Sequence, residues 1–94
     1  MTILEQISIR IIKEQELVIG PLAWEEAKKV PGLKVIDPKQ GEVTVEGSNA
    51  KEILNNLVAR YARLFGRASN EVCKEAAHDL IAELSKDQVP SSLQ

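Results

Sequence analysis

Between Leu54 and Leu84 apolar residues return at helical intervals in two runs, parted by one glycine-led break. Leu54, Leu57, Val58, Tyr61, Leu64 and Phe65 share a face of the first run. Val72, Cys73, Ala76, Ala77, Leu80, Ile81 and Leu84 share a face of the second. Gly66 ends the first helix and Ser69 starts the next. Two helices with one greasy stripe each must bury those stripes against another layer. The expected arrangement is an antiparallel helical hairpin laid over a small sheet.

The strands of that sheet are sought upstream. Ile7, Ile9 and Ile11 alternate with Ser8 and Arg10, the period of a half-buried strand built from β-branched residues; an amphipathic helix through Ile3, Ile7 and Ile11 competes for the same segment. KEQE at 13–16 breaks the alternation, and Leu17, Val18 and Ile19 form a short apolar run, either a second strand or the end of a helical turn. Pro21 suits the first turn of a helix, with Glu25 and Glu26 near its positive end and Lys28 and Lys29 in its last turn. That helix spans about 21–30 and stops at Pro31-Gly32. LKVID and EVTVE alternate around DPKQG, which carries the turn residues Asp37, Pro38 and Gly41 and so reads as a hairpin. Ser48 or Asn49 caps the next helix, Asn49 having Glu52 three residues on. The fold class is α+β: a largely antiparallel sheet of three to four strands, covered on one face by a short helix and the C-terminal helical hairpin. Residues 1–86 form the domain, and 87–94, which hold a proline, two serines and little to bury, form a flexible tail.

The two helical runs carry charge of opposite sign. Arg60, Arg63 and Arg67 recur on the first, and Glu71, Glu75, Asp79 and Glu83 on the second, each set well away from the apolar stripe. In an antiparallel pair Arg67 lies level with Glu71, Arg63 with Glu75 and Arg60 with Asp79. With one hand of the hairpin the flanks converge into a ladder of ion pairs worth about 0–1 kcal/mol each. With the other they diverge, and the arginine edge is offered to phosphate or to an acidic protein. Convergence is the expectation, since it explains both stripes without a partner.

Several functions are disfavoured by composition. One cysteine cannot form an internal disulfide, and no apolar run approaches the roughly 20 residues that a membrane helix needs, so a cytoplasmic location is expected. The formal charge of −2 gives no general attraction to nucleic acid, and Trp24, Tyr61 and Phe65 are the only aromatics for stacking on bases.

The reactive residue types have structural readings. SNAK at 48–51 matches the S-x-x-K pattern in which a lysine activates a serine, but it lacks the companion motifs, and helix capping accounts for Ser48. His78 points away from the apolar face, with Glu75 the one helical neighbour able to share a metal. Cys73 sits mid-stripe, as a buried small hydrophobe does. Trp24 either anchors its short helix to the core, the favoured reading, or forms an exposed binding hot spot.

ISIRIIKEQELVIG, a short helix to PGLKVID, then GEVTVEG and a long helix together resemble the order of a K-homology RNA-binding module over about residues 5–65. The resemblance implies a sheet-and-helix fold whose Ile-Gly-x-x-Gly loop presents backbone amides to phosphate beside a groove for about four bases. The loop reads GPLA: Gly20 matches the first glycine, Pro21 has no amide and Ala23 stands for the second glycine.

Nothing in the sequence assembles a nucleophile, a base and an orienting group, so no enzymatic activity, cofactor or metal is expected. The leading expectation is a protein-interaction module that binds another protein or itself, through the helical hairpin or an exposed strand edge such as ISIRII. The alternative is RNA binding through Arg60, Arg63 and Arg67, joined by Arg10.

Overall fold

A computed structural model describes residues 2–37, 41–45 and 50–93. The fold is α+β and mostly helical: α1 (Ile3–Ile19), α2 (Leu22–Ala27), β1 (Leu33–Asp37), β2 (Glu42–Val45), α3 (Ala50–Phe65) and α4 (Ala68–Ile81), followed by 3-10 turns at Lys86–Gln88 and Ser91–Leu93. The sheet has two antiparallel strands among the described residues, not three or four.

The difference arises at ISIRII, which is helical. Thr2 accepts from the Glu5 amide at 3.1 Å while the Glu5 carboxylate accepts from the Thr2 amide at 3.0 Å, a complete capping box at the start of α1. Ile7, Ser8, Ile11, Ile12 and Gln15 are the buried set, spaced at three to four residues, and Ile9 is left on the flank. Three isoleucines at alternate positions fit a strand, but Ile3, Ile12 and Gln15 complete a helical face that a strand would split between two sides. KEQE therefore lies inside α1 rather than after an element. Gly20, at φ 75°, ends the helix, its amide donating to the Glu16 carbonyl at 2.8 Å. This segment would have supplied the first strand of the K-homology order; the observed order is α-α-β-β-α-α.

α2 occupies the centre of its expected span. Trp24 is buried and its indole Nε1 donates to Glu16 Oε2 at 3.0 Å, so it anchors α2 to α1. Tyr61 does the same between α3 and α2: the ring is wholly buried and its hydroxyl donates to the Ala23 carbonyl at 2.7 Å. The phenol pKa is raised by that burial.

The hairpin forms as read, with Leu33 opposite Val45, Lys34 opposite Thr44 and Val35 opposite Val43; a bulge before Asp37 sets that residue against Glu42. Residues 38–40 of its turn, like Glu46, Gly47 and the proposed caps Ser48 and Asn49 of SNAK, lie outside the described residues. Gly41 needs its positive φ of 72°, and a β-carbon there would sit 2.6 Å from Lys13 Cε. The sheet rests chiefly on α1, with α2 beside β1; the α3–α4 pair packs on α1 and on itself rather than covering the strands. The inner strand face carries Leu33 and Val43 into the single buried cluster that also holds Ile7, Ile11, Leu54 and Leu57.

The two sheet edges differ. Val45's amide points away from β1 and donates to Glu5 Oε2 at 2.9 Å, so α1 closes the β2 edge. Both backbone hydrogen bonds, from Thr2 and then Val45, hold the Glu5 carboxyl below its ordinary value. The ionised form is thus the one that folding favours. Its contribution is complete above the ordinary carboxylate range and is lost as pH falls through the lowered native value. Glu5→Gln should cost about 1–2 kcal/mol at neutral pH, and the gap from the parent should close on acidification. Urea titrations at the two pH values check this; a gap that is constant with pH would contradict it.

Residues 87–94 were expected to form a flexible tail. In the structure the Ser91–Leu93 turn packs against α3 and α4, and Val89, Pro90 and Leu93 are buried. Asn55 Oδ1 accepts from the Ser92 amide at 3.0 Å and from its hydroxyl at 2.6 Å. Three apolar residues spaced through a polar stretch are too sparse to register as a periodic element, yet all three are buried.

Candidate functional site

α3 and α4 pack against each other across the Gly66 break, yet the expected ladder is not built. Among the described residues no ion pair joins Arg67 to Glu71, Arg63 to Glu75 or Arg60 to Asp79. Arg60 turns instead to α2, where its Nε donates to Glu26 Oε1 at 2.8 Å. Asp79 turns to α1, 3.8 Å from Arg10. One residue of each stripe thus turns to a different neighbour, Arg60 to α2 and Asp79 to α1.

Glu26, itself buried, is the centre of a charge network with Lys29 and Arg60. Its other oxygen accepts from Lys29 Nζ at 3.2 Å. Burial pushes the carboxyl up, but the hydrogen bonds from Lys29 and Arg60 outweigh it and hold the group below its ordinary value. Arg60, Arg63 and Lys29 line a groove of about 180 Å³ between the end of α2 and α3, with Asn56 also on its wall. Two unbalanced positive charges remain there once Glu26 is counted.

The remaining arginines are elsewhere. Arg67 lies in a separate hollow at the start of α4 with Asn70, Glu71 and Lys74. Arg10 lines a third, between α1 and α4, with Lys13, Glu14 and Leu80. Arg60, Arg63, Arg67 and Arg10 thus do not form one phosphate-facing surface. On α4, Glu71, Glu75, Asp79 and the following Glu83 are all exposed, and His78 is exposed beside them. Trp24, buried, presents no aromatic surface to a ligand.

Cys73 is wholly buried; burial pushes its thiol up to about 11, and Gln15 Nε2 donates to its sulfur at 3.4 Å and to the Ser69 carbonyl at 3.2 Å. It is a packing residue in a polar contact, not a nucleophile beside a base. No group of three or more His, Cys, Asp or Glu among the described residues could hold a metal ion. No helix among them is long and apolar enough to cross a membrane.

Two features escaped the sequence reading. Leu17 is 80% exposed and Val18 67%, at the end of α1, and Leu22 is 44% exposed just across the Gly20-Pro21 turn. They make an apolar corner on the outside of the molecule. The signal was the three-residue run Leu17-Val18-Ile19, too wide for one helix face: Ile19 turns inward and its neighbours cannot follow. The second is the Glu26–Arg60 pair, whose partners lie on different elements and have no register that links them in sequence.

Compared with models of protein families, with curated proteins and with solved structures, the chain matches none.

Proposed function

We propose that this chain is a non-enzymatic protein-interaction module whose docking surface is the α1–α2 corner. The observation that carries the reading is the exposure of Leu17 and Val18 side by side, with Leu22 next to them. Burying a Leu or Val side chain is worth about 1.5–3 kcal/mol, and twenty other apolar residues among those described are buried in the core. Leaving these in water forgoes that gain unless a partner recovers it. Of the perturbed titratable groups among the described residues, Glu5, Glu26, Tyr61 and Cys73 are each engaged in holding elements together and Asp87 is bonded by Ser85 beside it, which supports a binding role over catalysis.

The test is purification of the tagged protein from its cells with and without nuclease. A stoichiometric protein partner is expected to survive nuclease, to be lost in Leu17→Ser/Val18→Ser, and to persist in Arg60→Gln/Arg63→Gln. The serine pair should leave folding stability within about 0.5 kcal/mol, as exposed substitutions do.

A second reading has its own observation: Lys29, Arg60 and Arg63 share one groove. It is nucleic-acid binding, with the helix edge set along a phosphate backbone. A nuclease-sensitive companion, lost in the arginine variant and weakened steeply by salt, would replace the first reading with this one.

A further inference from the structure

We infer that the groove between the end of α2 and α3 binds a single phosphate group carried on a side chain of a partner protein, held by Lys29, Arg60 and Arg63. The contact is separate from the Leu17–Val18 corner and goes beyond both readings above.

The register of α3 and one buried carboxylate build the site. Asn56, Arg60 and Arg63 stand four and three residues apart and so share a flank of α3. Lys29 comes from the turn after α2, and all four line the groove together with the exposed Pro31 and Ala59. Glu26 is buried, and its carboxylate accepts from Arg60 Nε at 2.8 Å and from Lys29 Nζ at 3.2 Å. One anion thus holds two of the three cations in place before a ligand arrives, which lowers the ordering cost of binding. It occupies only the Nε–H of Arg60; the terminal Nη groups make no hydrogen bond among the described residues. The Arg63 side chain has neither a hydrogen bond nor an ion pair among them.

Charge, size and surroundings select the ligand. Three cations less the Glu26 carboxylate leave two positive charges, which a phosphate monoester balances and a side-chain carboxylate only halves. Guanidinium groups pair with phosphate oxygens through parallel N–H bonds, and the Asn56 amide adds a neutral donor. A groove of about 180 Å³ falls below the roughly 300–1,000 Å³ of a pocket that encloses a small molecule. It therefore seats one group while the rest of the ligand lies outside, along Pro31 and Ala59. A nucleic acid would bring further phosphates in a row, and the arginines that could meet them, Arg67 and Arg10, lie in separate hollows. Trp24 and Tyr61, which could stack on bases, are buried. The groove fits a lone phosphate on a polypeptide.

The measurement is an NMR titration of the intact, nitrogen-labelled chain with a short Gly/Ala peptide carrying one phosphoserine. Saturable shifts are expected at the amides of Lys29, Val30, Asn56, Arg60 and Arg63. Arg63→Gln changes an exposed residue that holds nothing in the fold and should weaken binding at least about tenfold. Arg67→Gln, the same charge change in another hollow, should leave it within about twofold. The same peptide with glutamate in place of phosphoserine, and inorganic phosphate alone, should each bind at least about tenfold more weakly than the phosphopeptide. An absence of saturable shifts would overturn the inference. So would a glutamate peptide or inorganic phosphate that binds as well as the phosphopeptide, or an Arg67→Gln loss as large as that of Arg63→Gln. A single-stranded RNA oligonucleotide that saturates the same amides more tightly than the phosphopeptide would also overturn it and hand the groove to the nucleic-acid reading. An empty groove alongside retained capture through Leu17 and Val18 would sink this inference and leave the corner reading intact.

Discussion

Replacing Tyr61 with alanine is expected to lower stability by about 3–5 kcal/mol, a large part of the about 5–15 kcal/mol that a domain of this size commands. The ring is wholly buried and its hydroxyl ties α3 to the Ala23 carbonyl at 2.7 Å, so the truncation leaves both a cavity and a separated pair of helices. Tyr61→Phe isolates the polar part. It keeps the packing and removes one hydrogen bond, at a cost of about 0.5–1.5 kcal/mol. Urea unfolding of the two variants measures both terms. Equal losses for phenylalanine and alanine would show that the ring is not in the core, contrary to the structure.

Leu93→Ala is expected to cost about 2–5 kcal/mol, and ending the chain after Gln88 should cost more. Leu93 is buried with Val89 and Pro90, and Ser92 is bonded twice to Asn55 on α3. The 3-10 turn at Ser91–Leu93 packs on both α3 and α4, so its removal opens the seam between them. Thermal unfolding of the shortened chain against the parent is the check. Loss of a merely polar tail would leave the transition where it was.

How far the sequence could be read depended on whether a pattern was local. The β1–β2 hairpin, the central part of α2, the α3 stripe apart from Leu64, which is 50% exposed, and the α4 stripe as far as Ile81 follow from neighbours in the chain and are present. Cys73 and His78 fell where their helical faces placed them, one buried and one exposed. ISIRII failed because alternate isoleucines satisfy both periods, and the deciding contacts, Thr2 with Glu5 and Gln15 with Ser69, come from beyond the segment. With the strand gone, the sheet shrank to a hairpin and α1 took the place on the strands that the C-terminal helices were expected to fill. The charge stripes were legible as stripes. Where two of their members pointed was not, because the partners lie on other elements: α1 draws Asp79 to Arg10 and α2 draws Arg60 to Glu26.

The contact between α1 and α4 has a consequence for synthesis. Gln15 reaches the Ser69 carbonyl across 54 residues of intervening chain, and α1 packs on α4 more extensively than on any other element. As the polypeptide leaves the ribosome, α1 can close in part upon α2, β2 and α3, but its most extensive partner is missing until α4 has emerged. Until then the isoleucine face of α1 stays only partly covered, so closure of this core waits on a contact that is distant in sequence.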